Sequence, residues 1–226
     1  MIFGLGAVLI ILLIYGPFLW VRYVMRKHAR DLPGMPGTGG ELASHLVDRF
    51  QLDGVQVVVG TEGQDHYDHE NRRVSLSPSV FEGQSLTAVA IAAHEVGHAI
   101  QFSRNEPVSR LRTKYLGLAF TLKRIGIGTL VIMPVVLMAI KTPVLILLTT
   151  ALGIATMLAS ALTYIAILPE EFDASFNKAL PILKEGYVPE EYLPAVEQVL
   201  KAAALTYFAG ALADTLNLWR WLSVFR

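Results

Sequence analysis

His94-Glu95-Val96-Gly97-His98 lies inside an apolar run from Leu86 to Phe102. On a helix, residues four apart share a face, so the two imidazoles point the same way and can hold one zinc ion. Glu95 sits about 100° round the helix, where it reaches a water on that metal. Two imidazoles and a carboxylate on a buried helix cost on the order of several kcal/mol unless something compensates them, and a metal does so. Ser85 precedes the run as an N-cap, and no proline interrupts it. Gly97 permits close backbone approach beside the metal. The plain alternative is a buried helix satisfied by protein hydrogen bonds, which requires a separate partner for each of the three side chains.

The rest of the composition is that of a membrane protein with one small polar domain. The chain has 226 residues, 53% of them hydrophobic, and a formal net charge of zero. Its mean hydropathy is +0.47, too apolar for an ordinary soluble domain. No charge imbalance points to nucleic acid. Cysteine is absent, which excludes disulfides, thiolate zinc ligands and thiol catalysis.

Ile2 to Val21 carries no charge and is long enough to span a bilayer. Its lack of a basic leading segment disfavours a cleaved signal peptide. Ile125 to Ile140 and Pro143 to Leu168 are further uncharged runs, joined at Lys141-Thr142-Pro143 as an antiparallel hairpin, with the first helix extending back to about Leu116. A fourth apolar stretch, Ala202 to Phe225, contains Asp214, Asn217 and Arg220. It reads equally as a span, an interfacial helix or a cover over the site. Arg22, Arg26, Lys27 and Arg30 follow the first span, and Arg104, Arg110, Arg112 and Lys114 precede the second. By the positive-inside rule, the histidine motif faces the cytoplasm.

Between the first span and the motif, Asp31 to Gly40 is a Pro/Gly linker. Leu42, Leu46, Val47 and Phe50 recur at helical spacing, Val55 to Val59 reads as a strand, and Gly60 to Asn71 as turn. Val74, Leu76 and Pro78 alternate with polar residues as a second strand. An edge of that strand can pair with an extended substrate. The expected fold is a mostly α membrane protein, with about three to four transmembrane helices and a small α+β zinc-peptidase domain with a short sheet. Its expected segments are an anchor (1–24), a basic Pro/Gly linker (25–40), a catalytic domain (41–114), a transmembrane hairpin (115–168) and a region with a third ligand and an apolar helix (169–226).

A catalytic zinc takes three protein ligands and an open position. The candidates for the third are His45, His66, His69, Glu106, Glu170, Glu171 and Asp173. The hairpin returns the chain to the side of the motif, which favours the carboxylates just after Leu168 without choosing among them.

Four stretches carry a family resemblance. They are D-H-Y-D at 65–68 with V-S-L-S-P at 74–78, A-A-H-E-V-G-H-A-I-Q at 92–101, L-P-E-E-F-D-A-S at 168–175, and A-A-A-L-T-Y at 202–207. The chain resembles the bacterial integral-membrane neutral zinc metallopeptidases of the YugP-like group, and more distantly the HtpX and CaaX-prenyl-protease gluzincins. The resemblance implies a gluzincin-like domain in a multi-pass protein of the bacterial cell membrane. It implies one zinc per chain on His94, His98 and Glu171, with Glu95 as catalytic base and Tyr207 as a candidate oxyanion donor; Asn177 is a further candidate donor. Ser175 stands where the distant relatives have Asp, which leaves Asp173, Asp214 or backbone to support the ligands. His69 stands where the family has Pro. The implied partners are a protein or peptide substrate and the lipid bilayer. An intramembrane protease of the site-2 type is a competing reading, but its L-D-G partner motif appears here upstream, at Leu52-Asp53-Gly54. A non-catalytic zinc-stabilised scaffold is another, and it would have no need of Glu95.

Overall fold

A computed structural model describes residues 2–140 and 143–214, except the side chains of 2–8, 10, 133–140, 143, 146 and 214. The chain divides into two compact units. One comprises Met1–Phe18, Leu111–Leu168 and Tyr207–Arg226; the other comprises Leu19–Arg110 and Pro169–Thr206.

The first unit is helical. Helix α1 (Ile2–Lys27) contributes its first part, and α5 (Arg110–Ile140) and α6 (Pro143–Thr163) contribute most of the rest. Small residues let α5 and α6 pack closely. A Cβ added at Gly126 would lie 2.5 Å from Met157 Cγ, and one at Gly153 would lie 2.5 Å from Leu130 Cγ. Ser160 Oγ donates to the Ala119 carbonyl at 2.7 Å. The outward faces are apolar, with Leu118, Phe120, Ile125, Leu147, Leu148 and Leu152 exposed. Thr121, Thr129, Thr149, Thr156 and Thr163 each donate to the carbonyl four residues earlier. A hydroxyl satisfied on its own helix can face hydrocarbon at little cost.

Among the described residues, two helical stretches are long and apolar enough to cross a membrane, Pro107–Ile132 and Leu147–Lys184, rather than the expected three to four. The fourth expected stretch is described as far as Asp214, in helix α9 (Leu193–Asp214). The early part of that helix is core: Val196, Val199, Leu200, Ala202 and Ala204 are fully buried. An alanine-rich core helix has the hydropathy of a span without its lipid-facing side. The expected turn at Lys141-Thr142 and everything after Asp214 lie outside the described residues.

The second unit builds the site. Helix α2 (Gly39–Arg49) opens on a capping box, in which Thr38 Oγ1 accepts from Glu41 N and Glu41 Oε2 accepts from Thr38 N. Strands β1 (Gln56–Val59), β2 (His66–Asp68) and β3 (Arg73–Leu76) form a sheet in the order β1-β3-β2. β1 runs parallel to β3 with Val57 opposite Val74, and β2 runs antiparallel with Tyr67 opposite Val74. Val74 and Leu76 are fully buried while Arg73 points out. β2 occupies part of the segment expected as turn. β3 ends sooner than expected, because Ser77 caps the short helix α3 (Pro78–Phe81). Asp65 Oδ1 takes both the Ser77 N–H at 2.6 Å and its Oγ–H at 2.9 Å.

Helix α4 (Leu86–Ser103) carries the histidine motif. Ser85 Oγ accepts from Ala88 N at 3.1 Å, the expected N-cap. The end of α1 is stapled to its start, with Thr87 Oγ1 donating to the Met25 carbonyl at 2.9 Å. Nearly every side chain from Leu86 to Gln101 is buried. After α6 the chain runs through α7 (Leu168–Phe172), a π-helical segment at Asp173–Ala179, and α8 (Leu180–Lys184). The π segment lies against Gly97, where an added Cβ would be 2.8 Å from the Ala174 carbonyl oxygen.

Two predictions follow from this packing. Gly97→Ala should cost about 1–3 kcal/mol by overpacking against rigid backbone, read as a lowered Tm in detergent; an unchanged Tm would contradict the close approach. The second concerns Asp65, whose carboxyl is pushed up by burial, against the two Ser77 hydrogen bonds and with the help of the Glu95 and Glu62 charges. The folded chain therefore keeps this proton at pH values where the unfolded chain has released it, and stability falls as pH rises through that window. Asp65→Asn keeps an acceptor for Ser77 and removes the titration. Its Tm should gain on wild type as pH rises from below the ordinary carboxylate range to neutral; parallel curves would exclude the effect.

Candidate metal centre

α4 presents His94 and His98 on one face, one turn apart, and α7 brings Glu171 to meet them. All three are buried, with exposures of 3%, 1% and 1%. The two Nε2 atoms lie 3.2 Å apart. Glu171 Oε2 lies 3.3 Å from each of them. These donors form a group that could hold a metal ion, the one such group of three among the described residues. The triangle fits zinc: bonds of about 2.0–2.1 Å at tetrahedral angles set ligand atoms about 3.3 Å apart. The chemistry fits as well, since two imine nitrogens and a carboxylate oxygen are a zinc donor set.

The face away from the cluster is hydrogen-bonded. Ser175 Oγ lies 2.9 Å from His94 Nδ1, and Gln101 Oε1 lies 3.0 Å from His98 Nδ1. Gln101 Nε2 donates to the Glu170 carbonyl at 3.0 Å and to Asp173 Oδ2 at 2.8 Å. Neither Ser175 nor Gln101 was a sequence candidate for any role at the site. Gln101 had a legible signal, because it lies three residues after His98 and seven after His94, on the same helical face. Ser175 occupies the position where an Asp was missed, and its hydroxyl makes the contact instead.

The other candidates are placed elsewhere or differently. His45 is exposed on α2. His66 Nδ1 contacts the Gln64 carbonyl at 2.9 Å, and the His69 ring stacks on Phe102 with centroids 4.9 Å apart. Glu106 pairs with Lys178 at 2.9 Å. Glu170 is fully buried, and its Oε1 lies 3.8 Å from His98 Nδ1, on the opposite side of the ring from Glu171. Asp173 reaches His98 only through Gln101. Glu95 is buried on α4, close enough to Asp65 to raise that carboxyl. Asn177 Nδ2 donates to Asp173 Oδ1 at 2.7 Å. Tyr207 belongs to the other unit, where the Arg112 guanidinium lies over its ring at 5.0 Å. The side chain of Asp214 lies outside the described residues.

A family model described as "Putative neutral zinc metallopeptidase" matches residues 3–226. The chain is 32% identical over 216 residues to the "Putative membrane protease YugP" of Bacillus subtilis (strain 168), a match that covers 93% of this chain and 92% of that protein. No solved structure matches the chain. A match over almost the whole sequence, together with a buried His-His-Glu group of zinc-like dimensions, leaves one conclusion: the chain belongs to the family of neutral zinc metallopeptidases.

Proposed function

We propose that this protein is a membrane-anchored zinc metalloendopeptidase of gluzincin type that hydrolyses peptide bonds in protein or peptide substrates. The observation that carries the reading is the convergence of His94 Nε2, His98 Nε2 and Glu171 Oε2 in a buried triangle on α4 and α7. In this reading these three residues hold one zinc per chain. Three protein donors leave a fourth position open, as hydrolysis requires and a structural site does not. Zinc bound there would polarise the scissile carbonyl and make its water acidic near neutral pH.

The chain's own residues supply the rest. Glu95 follows His94 directly, so its carboxylate projects about 100° from the imidazoles and toward the open position. It takes the proton of the attacking water and delivers it to the leaving amine. Its near-complete burial, at 7% exposure, strengthens its electrostatic contacts and limits competing water. Tyr207 remains the candidate to stabilise the developing oxyanion. The free edge of the sheet in this unit is β2, at the end of the order β1-β3-β2, which suits an extended peptide.

Anchoring in a bacterial cell membrane is supported by the two long apolar helical stretches and by the name of the Bacillus relative. The cytoplasmic placement of the site rests on the basic residues flanking the apolar runs.

Glu95→Gln should retain zinc and lose proteolysis by a factor of at least about 10²–10⁴, measured on peptides with the purified protein. Cleavage at the wild-type rate would remove Glu95 from the base role. Glu171→Ala should bind zinc substoichiometrically after dialysis against a weak chelator, while wild type holds one equivalent; tight binding in the variant would move the third-ligand role elsewhere. Crosslinking of Glu95→Gln in native membranes should enrich substrates that wild type does not hold.

A further inference from the structure

Each imidazole has two nitrogens, and what lies behind the ring decides which one is offered to a metal. His94 turns Nε2 toward Glu171 and Nδ1 toward Ser175 Oγ, at 2.9 Å. The same hydroxyl lies 3.0 Å from the Leu200 carbonyl. A hydroxyl has one hydrogen, and a carbonyl can only accept. That hydrogen goes to Leu200, so Ser175 accepts from His94 and the imidazole proton sits on Nδ1.

His98 reaches the same state by another route. Its Nδ1 lies 3.0 Å from Gln101 Oε1. Gln101 Nε2 faces two acceptors, the Glu170 carbonyl and Asp173 Oδ2, so the amide cannot be turned over without setting oxygen against oxygen. Oε1 therefore accepts from His98 Nδ1. The Glu170 carboxylate, at 3.8 Å, is too far to take its place. Asp173 is in turn held by Lys178 at 3.2 Å and by Asn177.

We propose that Ser175 and Gln101 are positioning residues that fix both histidines as Nδ1–H tautomers and so aim two Nε2 lone pairs at one cation. Both are neutral and fully buried, so the imidazoles are oriented by a hydroxyl and an amide and not by a carboxylate. The inference rests on the zinc-peptidase reading above and deepens it.

The test uses the full chain in detergent, stripped of metal. Zinc affinity is measured by competition with a chromophoric chelator, and the cobalt(II) form by its visible spectrum. Gln101→Leu and Ser175→Ala should each weaken zinc roughly 10–100-fold and change the cobalt bands. Leu46→Ala, a fully buried position on α2, serves as the control: it should lower Tm and leave zinc affinity unchanged. Gln101→Met replaces the Leu variant should that one not fold. An affinity within about threefold of wild type in either variant removes that residue from the role. A loss in Leu46→Ala equal to that in the site variants would reduce both to general packing. Wild-type protein that takes up no zinc or cobalt overturns the zinc reading itself, whereas tight wild-type binding with unaffected variants overturns only this one.

Discussion

Two lone-pair nitrogens and a carboxylate oxygen, all within 3.3 Å of one another, repel. In water, solvent would screen them; in a protein interior the effective dielectric is far lower and the repulsion grows. An unpaired buried charge costs several kcal/mol, whereas structural zinc sites yield about 10–16 kcal/mol of binding free energy in small peptides. Even a fraction of that offsets the cost of gathering the three donors. Much of the surrounding unit maintains the gathering. α4 is buried along nearly its whole length, Gly97 admits the π segment, and the Ala-rich start of α9 closes over Ser175 through the Leu200 carbonyl.

The two units meet different demands with the same residue types. In the first, small residues bring α5 and α6 together, and threonines turn their hydroxyls back on their own helices. Apolar side chains then face outward, as a lipid environment allows. In the second, small residues serve a polar purpose. Ala174, Ser175 and Gly97 let two backbones approach until a hydroxyl can reach an imidazole.

Much of the site was legible in the sequence, and the limits are physical. The His94–His98 spacing and the Ser85 cap are local, so helical periodicity gave them directly. Glu171 is distant along the chain, and only the family pattern separated it from Glu170, its equally buried neighbour. β2 was missed because three residues, two of them polar, are too few to show alternation. The number of spans was overstated because hydropathy cannot tell an alanine-rich core helix from a lipid-facing one. Gln101 was overlooked for want of charge, although its helical phase pointed at both histidines.

The π segment at Asp173–Ala179 has a consequence for how this protein tolerates change. A π turn is in effect one extra residue lodged in an α-helix. It sits between Glu171 and the helix that leads away from the site, so it sets the rotational phase between them. Deleting any one residue there would let the segment relax to α geometry and swing whatever follows by about 100° relative to Glu171. Ser175 and Asp173 would leave their imidazole and amide partners together. Substitutions in this stretch can be absorbed one contact at a time, but a change of length cannot. Length, more than composition, is what the lineage must preserve between 171 and 180.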